Sequence, residues 1–265
     1  MSWTKALSMS LLLLLSVTGP IAAEPCQQPD NVTQMTGGKE CLVIKTYRGS
    51  GGGTAPGLFV LLHGNASKGG AATFHYTVAQ ALAVPNVIAV AMIRPGYYDE
   101  TGHWSTGSDL GRNDNYTAEI IDDIADAVKT LKDVYKPRKV ILVGHSGGAA
   151  IAAVILGRFP RLIDGAVLVG CPCGTGNGRI GEPGSLMAHS ENAARYVERV
   201  PLDARIAVLV GSEDTRTPPF VSERYVALLK ARGIAVSLTE IPQADHDAAF
   251  RSRTTLMGAL ELIRP

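Results

Sequence analysis

The chain has little charge of either sign to spare. Its 25 basic and 24 acidic residues leave a formal net charge of +1. Such a balance offers no electrostatic footprint for nucleic acid or for an anionic membrane surface. Beyond its N-terminal segment, no apolar run approaches the about 18 residues that a membrane-spanning helix needs. There is no internal repeat, and low-complexity sequence is confined to Gly51-Gly52-Gly53. Cysteines number only four: Cys26, Cys41, Cys171 and Cys173. The last two have no nearby histidine or third cysteine in sequence, so a metal site is not expected there.

The N-terminal segment is of a different kind. Lys5 precedes an apolar stretch, Ala6 to Val17, with five consecutive leucines. Gly19-Pro20 then breaks the run, and Ile21-Ala22-Ala23 supplies small residues for cleavage. Residues 1–23 therefore read as a secretory signal peptide, too short in its apolar core for a stable membrane anchor. The protein is expected to be secreted or periplasmic, with one domain over residues 24–265. Removing Lys5 with the leader leaves equal numbers of basic and acidic residues. In an exported chain an even cysteine count suggests disulfides. Cys26 and Cys41 flank a polar, turn-rich segment and are expected to pair. The role and redox state of Cys171 and Cys173 stay open, as does the oligomeric state. Three Asn-x-Ser/Thr sequons occur, at Asn31, Asn65 and Asn115.

The stretch that organises the rest is Lys139 to Leu156. Val140 to Val143 is a short apolar, mostly β-branched run, which predicts a buried strand. Gly144-His145-Ser146-Gly147-Gly148 follows, and then an alanine-rich helical run. Strand, G-x-S-x-G, helix is the context in which a serine sits on a sharp turn and projects above the strand end. Small neighbours are needed to avoid collision, and Gly144 and Gly148 supply them. The start of the helix offers free N–H groups and a positive partial charge to a developing anion.

The same alternation extends over the chain. Strands are predicted at Leu42–Tyr47, Leu58–Leu62, Val87–Ile93, Asp164–Gly170, Arg205–Gly211 and Ala235–Ile241. A glycine-rich hairpin loop, Gly49–Gly57, is expected between the first two. Helices are predicted at about Ala72–Ala83, Thr117–Tyr135, Met187–Val200 and Phe220–Arg232. Strands alternating with helices indicate a mostly parallel, doubly wound sheet flanked by helices.

With LLHGNA after the strand at Leu58, RPGYY after the next and GHSGG at the turn, the chain resembles α/β-hydrolases, near exported esterases and prolyl-oligopeptidase-like enzymes. The resemblance covers essentially the whole chain after the leader. It implies an α/β-hydrolase fold with a small cap over residues 174–204. It also implies an oxyanion hole built from the N–H groups of Gly147 and Asn65. The pattern G-x-x-D-x-x-x-P at Gly211 to Pro218 places the acid at Asp214, with Glu213 as rival. His246 alone among six histidines follows both serine and acid just after a strand. The order Ser146, Asp214, His246 is the one this family uses. His145 is assigned to packing. Tyr97, Tyr98 and Trp104 are candidates for the substrate pocket wall.

These residue types point to two-step acyl transfer, which requires no cofactor and no metal. A carboxylic-ester hydrolase is the preferred expectation, acting on a small ester or a short peptide, with no nucleic-acid partner. A serine peptidase would use the same residues. A non-catalytic binding protein would have no need of all three. A haloalkane dehalogenase would need a carboxylate where Ser146 stands.

Overall fold

A computed structural model describes residues 26–51, 55–66, 69–108, 116–173 and 187–264. The expected leader, residues 1–23, and residues 174–186 of the expected cap lie outside them. Among the described residues, eight strands form one sheet in the order β1-β2-β4-β3-β5-β6-β7-β8. They are β1 (Gln34–Gly37), β2 (Glu40–Arg48), β3 (Gly57–Leu62), β4 (Val87–Met92), β5 (Lys139–His145), β6 (Gly165–Val169), β7 (Arg205–Gly211) and β8 (Ala235–Ile241). From β4 to β8 every neighbouring pair is parallel, while β1 and β2 add antiparallel pairs at one edge.

Hydrophobic pattern explains why the middle strands are in the middle. Every residue of β3, β4 and β6 is buried, as expected where helices cover both faces. Side chains alternate between faces along a strand. Leu58, Val60 and Leu62 enter one core with α2 (Ala118–Tyr135) and α3 (Gly147–Arg158). Phe59 and Leu61 enter the opposite core with α1 (Tyr76–Leu82) and α6 (Arg253–Ile263). The outer strand β8 keeps only Ile241 buried. Helix ends follow local chemistry. The Thr117 hydroxyl accepts the N–H of Ile120 at the start of α2, and Lys136 in the left-handed region closes it before Pro137.

Two expectations need correction. The Gly49–Gly57 segment is not a hairpin: β2 pairs with β4, with Ile44 opposite Met92, and β3 lies beyond β4. The uniformly apolar β3 requires two covered faces, and β2, half-buried along its length, suits the periphery. The helix expected over Met187–Val200 is a turn followed by a 3₁₀ helix at Ala193–Arg199. Three elements had no counterpart in the sequence reading: β1, α5 (His246–Arg251) and α6. Cys26 is bonded to Cys41, fastening the N-terminal segment to β2. Cys171 is bonded to Cys173 just past the end of β6, and both are buried.

Candidate active site

Ser146 stands between β5 and α3 with φ 51° and ψ −118°. A side chain at positive φ is strained by about 1–3 kcal/mol, so the surroundings must impose it. They do so through the backbone. The Ser146 N–H donates to the Val169 carbonyl of β6 at 2.8 Å, and its carbonyl accepts the N–H groups of Ala149 and Ala150. Behind it, α3 lies so close to β3 that a Cβ on Gly148 would collide with the Leu62 carbonyl. Gly147 opens α3, where N–H groups have no partner within the helix.

Asp214 follows β7 and is buried. Its Oδ1 accepts the backbone N–H groups of Arg216 and Thr217 at 2.9 and 2.8 Å. Its Oδ2 accepts the Thr217 hydroxyl at 2.7 Å and meets Nδ1 of His246 at 2.7 Å. Burial pushes this carboxyl up, but the hydrogen bonds from His246 and Thr217 outweigh it and leave the group below the ordinary carboxylate value. A carboxylate only accepts, so Nδ1 of His246 carries the proton and Nε2 presents its lone pair. Glu213, the rival acid, is exposed, and its carboxylate is not among the partners of His246.

His246 is the first residue of α5 rather than a loop residue. Asp245 caps that helix, accepting the N–H groups of Asp247 and Ala248. The imidazole lies over Gly170, where a Cβ would come within 2.9 Å of its Cε1. Gly170 directly follows Val169, the strand residue that holds Ser146. The elbow and the acid–histidine pair therefore converge at the end of β6. His145 does more than pack. Its Nε2 lies 3.0 Å from the His246 carbonyl, which can only accept, so Nε2–H is the donor. Burial, and then the neighbouring His246, lowers its pKa to about 4, so the ring is neutral.

The third part is the turn after β3. Gly64 brings it against the Ser146 Cβ, and the Asn65 Oδ1 lies over Gly147. Beneath the turn is Arg94, fully buried. Its Nη1 donates to the His63 carbonyl at 3.2 Å and to Asn65 Oδ1 at 3.1 Å. Its backbone N–H donates to His63 Nε2 at 2.9 Å. His63 Nε2 is therefore unprotonated, and Nδ1–H donates to the Gly64 carbonyl at 2.7 Å. The Tyr97 and Tyr116 rings flank the guanidinium at 5.2 and 5.7 Å. Sequence reasoning missed Arg94 and Thr217. A charged residue inside R-P-G-Y reads as turn chemistry, and Thr217 reads as a loop hydroxyl.

The aromatic pocket candidates are placed unevenly. Tyr97 is fully buried against His63 and Arg94, so it belongs to the support of the turn and not to an open wall. Tyr98 and Trp104 stack on each other at 4.5 Å, with Trp104 largely exposed. An open cavity of about 260 Å³ does adjoin the site, between Asn65, Phe74, Arg216, Asp247 and Arg251. A larger one, about 650 Å³, lies against β7, β8 and α6 and contains none of the site residues.

His145, His246 and Asp247 bring possible metal-ligand atoms within 4.8 Å of one another. The His145 nitrogen nearest Asp247, at 3.9 Å, is the protonated Nε2. A protonated nitrogen does not ligate a metal, so this set does not fit one. No helix among the described residues is long and apolar enough to cross a membrane.

A family model described as the alpha/beta hydrolase fold matches residues 57–201. No curated protein matches the chain. Among solved structures, an α/β serine hydrolase without lid from Xanthomonas campestris is similar at 15% identity, TM-score 0.60, covering 90% of this chain and 98% of that one. Est1E from Butyrivibrio proteoclasticus, with ferulic acid bound, is similar at 15% identity and TM-score 0.63, over 87% and 98% of the two chains. A serine hydrolase involved in carbazole degradation is similar at 16% identity and TM-score 0.61, over 86% and 96%.

Proposed function

We propose that this chain, which belongs to the α/β-hydrolase family, is an exported serine hydrolase that cleaves carboxylic esters. The observation that carries this reading is the 2.7 Å contact of His246 Nδ1 with Asp214, set beside a serine held at φ 51°. That contact fixes the tautomer whose Nε2 can act as base. The leader-like residues 1–23 support export.

In this reading Ser146 Oγ attacks the ester carbonyl carbon while His246 Nε2 takes its proton. The carbonyl oxygen becomes an oxyanion and receives the N–H groups of Gly147 and Asn65. Asp214 stabilises the charged imidazole without taking the proton. When the tetrahedral intermediate collapses, the C–O bond to the alcohol breaks and His246 returns the proton to the leaving oxygen. Water repeats the sequence on the acyl-enzyme and frees the acid.

The test is covalent labelling with a fluorophosphonate, beside a hydrolysis panel of acyl esters of rising chain length and of aminoacyl and peptidyl amides. Ser146 is expected to be the labelled residue, Ser146→Ala to abolish labelling with the fold intact, and esters to turn over faster than amides. Equal labelling of the alanine variant would refute the assignment. Faster amide turnover would move the enzyme to the peptidases.

A further inference from the structure

We infer that the cavity beside the oxyanion turn recognises an anionic group on the substrate, so that the preferred esters carry a carboxylate. This rests on the ester-hydrolase reading above and narrows it. The cavity, about 260 Å³, has room for a multi-carbon acyl or alcohol group that carries a carboxylate. One wall is Asn65, whose turn faces Ser146 and Gly147. The lining also includes Asp247, the residue after His246, together with Arg216 and Arg251. A group in this cavity is therefore attached to something within reach of the reacting centre. Phe74 gives the cavity an apolar wall. Its ring is held at 5.4 Å from His145 and 6.0 Å from Phe250.

The two arginines are the chemistry-bearing groups here. Arg251, which lines the cavity, makes no ion pair within 4.0 Å among the described residues. Asp245 is near enough to feel the charges of both Arg251 and Arg216, but Oδ1 of that carboxylate already accepts two N–H groups of α5. Arg216 contacts Asp247 through one nitrogen at 3.5 Å, with both side chains about half exposed. Such exposed pairs are weak and exchangeable. A guanidinium has five N–H donors in a planar fork that matches a carboxylate, so one such contact leaves most of its capacity unused. The backbone of Arg216 is not loose, because its N–H donates to Asp214. Its root is thereby fixed relative to the acid–histidine pair. The cavity lining itself holds two cations, Arg216 and Arg251, against one anion, Asp247. Outside it, the positive charge of the buried Arg94 beneath Asn65 is offset in the count by the nearby Asp245 and Asp214 carboxylates. An uncharged ester would leave the spare N–H donors of the two lining guanidinium groups to solvent, whereas an ester bearing a carboxylate would pair with them.

The experiment uses two matched pairs of chromogenic esters at low ionic strength. In one pair the acyl part is anionic or neutral: 4-nitrophenyl hydrogen succinate and 4-nitrophenyl pentanoate. In the other the alcohol part is: 4-carboxyphenyl butanoate and 4-carbamoylphenyl butanoate. The anionic member of one pair is expected to exceed its twin about tenfold or more in kcat/KM, chiefly through KM. Which pair responds shows which side of the scissile bond faces the cavity. The preference is expected to shrink in 0.5 M salt, to fall severalfold in Arg251→Gln, and to vanish in Arg216→Gln/Arg251→Gln. Arg251→Glu is expected to reverse it. No preference in either pair, or a preference that survives the double substitution, would overturn the inference. Fluorophosphonate labelling of Ser146 separates the two levels. Labelling without anion preference refutes the cavity assignment alone, whereas no labelling refutes the hydrolase reading beneath it.

Discussion

Ser146 and His246 both stand at the end of β6, but they are held there by different means. The serine is fixed by backbone: a hydrogen bond to Val169, two from the first turn of α3, and a helix that touches β3 without a side chain between them. The histidine is fixed by side chains: Asp214 on Nδ1, Thr217 beside it and His145 on its carbonyl. Backbone restraint of this kind cannot be removed without disturbing the fold. Side-chain restraint can be removed one group at a time. The two halves should therefore fail differently when altered.

The largest effect is expected on the histidine side. Asp214→Asn keeps the shape and removes the charge, and kcat on an ester substrate should fall about 10³-fold or more while the melting temperature changes little. Glu213→Gln should change kcat less than about twofold. Reversed losses would move the acid to Glu213. On the serine side, Gly148→Ala should act through folding. Its methyl group meets the Leu62 carbonyl, so strain of about 1–3 kcal/mol or more is expected, read as a lowered urea midpoint. A fully stable Gly148→Ala variant would break the contrast between the halves.

Arg94 tests whether the turn after β3 behaves like the serine or like the histidine. Its donors hold the His63 carbonyl and the Asn65 side chain. Arg94→Met should cost about 1–3 kcal/mol in stability, because buried acceptors lose their partner. It should also lower kcat about tenfold or more with KM nearly unchanged, because the proposed oxyanion donors would be displaced. A loss of stability with unaltered kcat would make Arg94 purely structural.

The smallest and most distributed effect is on acid stability. Burial lowers the pKa of His63 well below its ordinary value, that of His75 to about 3 and that of His145 to about 4. In the unfolded chain all three take up protons near about pH 6.5. Below that pH the unfolded state binds more protons, so stability falls as pH falls. Each such histidine contributes a slope of at most about 1.4 kcal/mol per pH unit. The urea midpoint should therefore drop steadily from about pH 6.5 toward 4.5, before carboxylates such as Asp214 titrate. A midpoint constant over that range would show that these rings are protonated in the folded state.

Much of the architecture was legible because burial leaves a strong pattern. The uniformly apolar β3, β4 and β6, the apolar run Val140 to Val143 of β5 and the periodic α2 declare themselves in sequence, and so does the turn at Gly144 to Gly148. What was not legible depends on long-range contact. Nothing local in β2 tells that Ile44 will face Met92 and not its neighbour in the chain. The short α5 begins at His246 only because the Asp245 carboxylate caps it. The full burial of Arg94 runs against the base expectation for a charged side chain, and needs two carbonyl-type acceptors and two aromatic rings brought from three segments.

His145 is joined to Ser146 by a peptide bond and to His246 by a hydrogen bond. A displacement of the end of β5 would therefore carry Ser146 and His246 in the same direction. Slow breathing of the sheet would then be a common-mode motion, in which the spacing between the proposed nucleophile and the proposed base is conserved while both move. The clamp is as stiff as one hydrogen bond from a neutral imidazole.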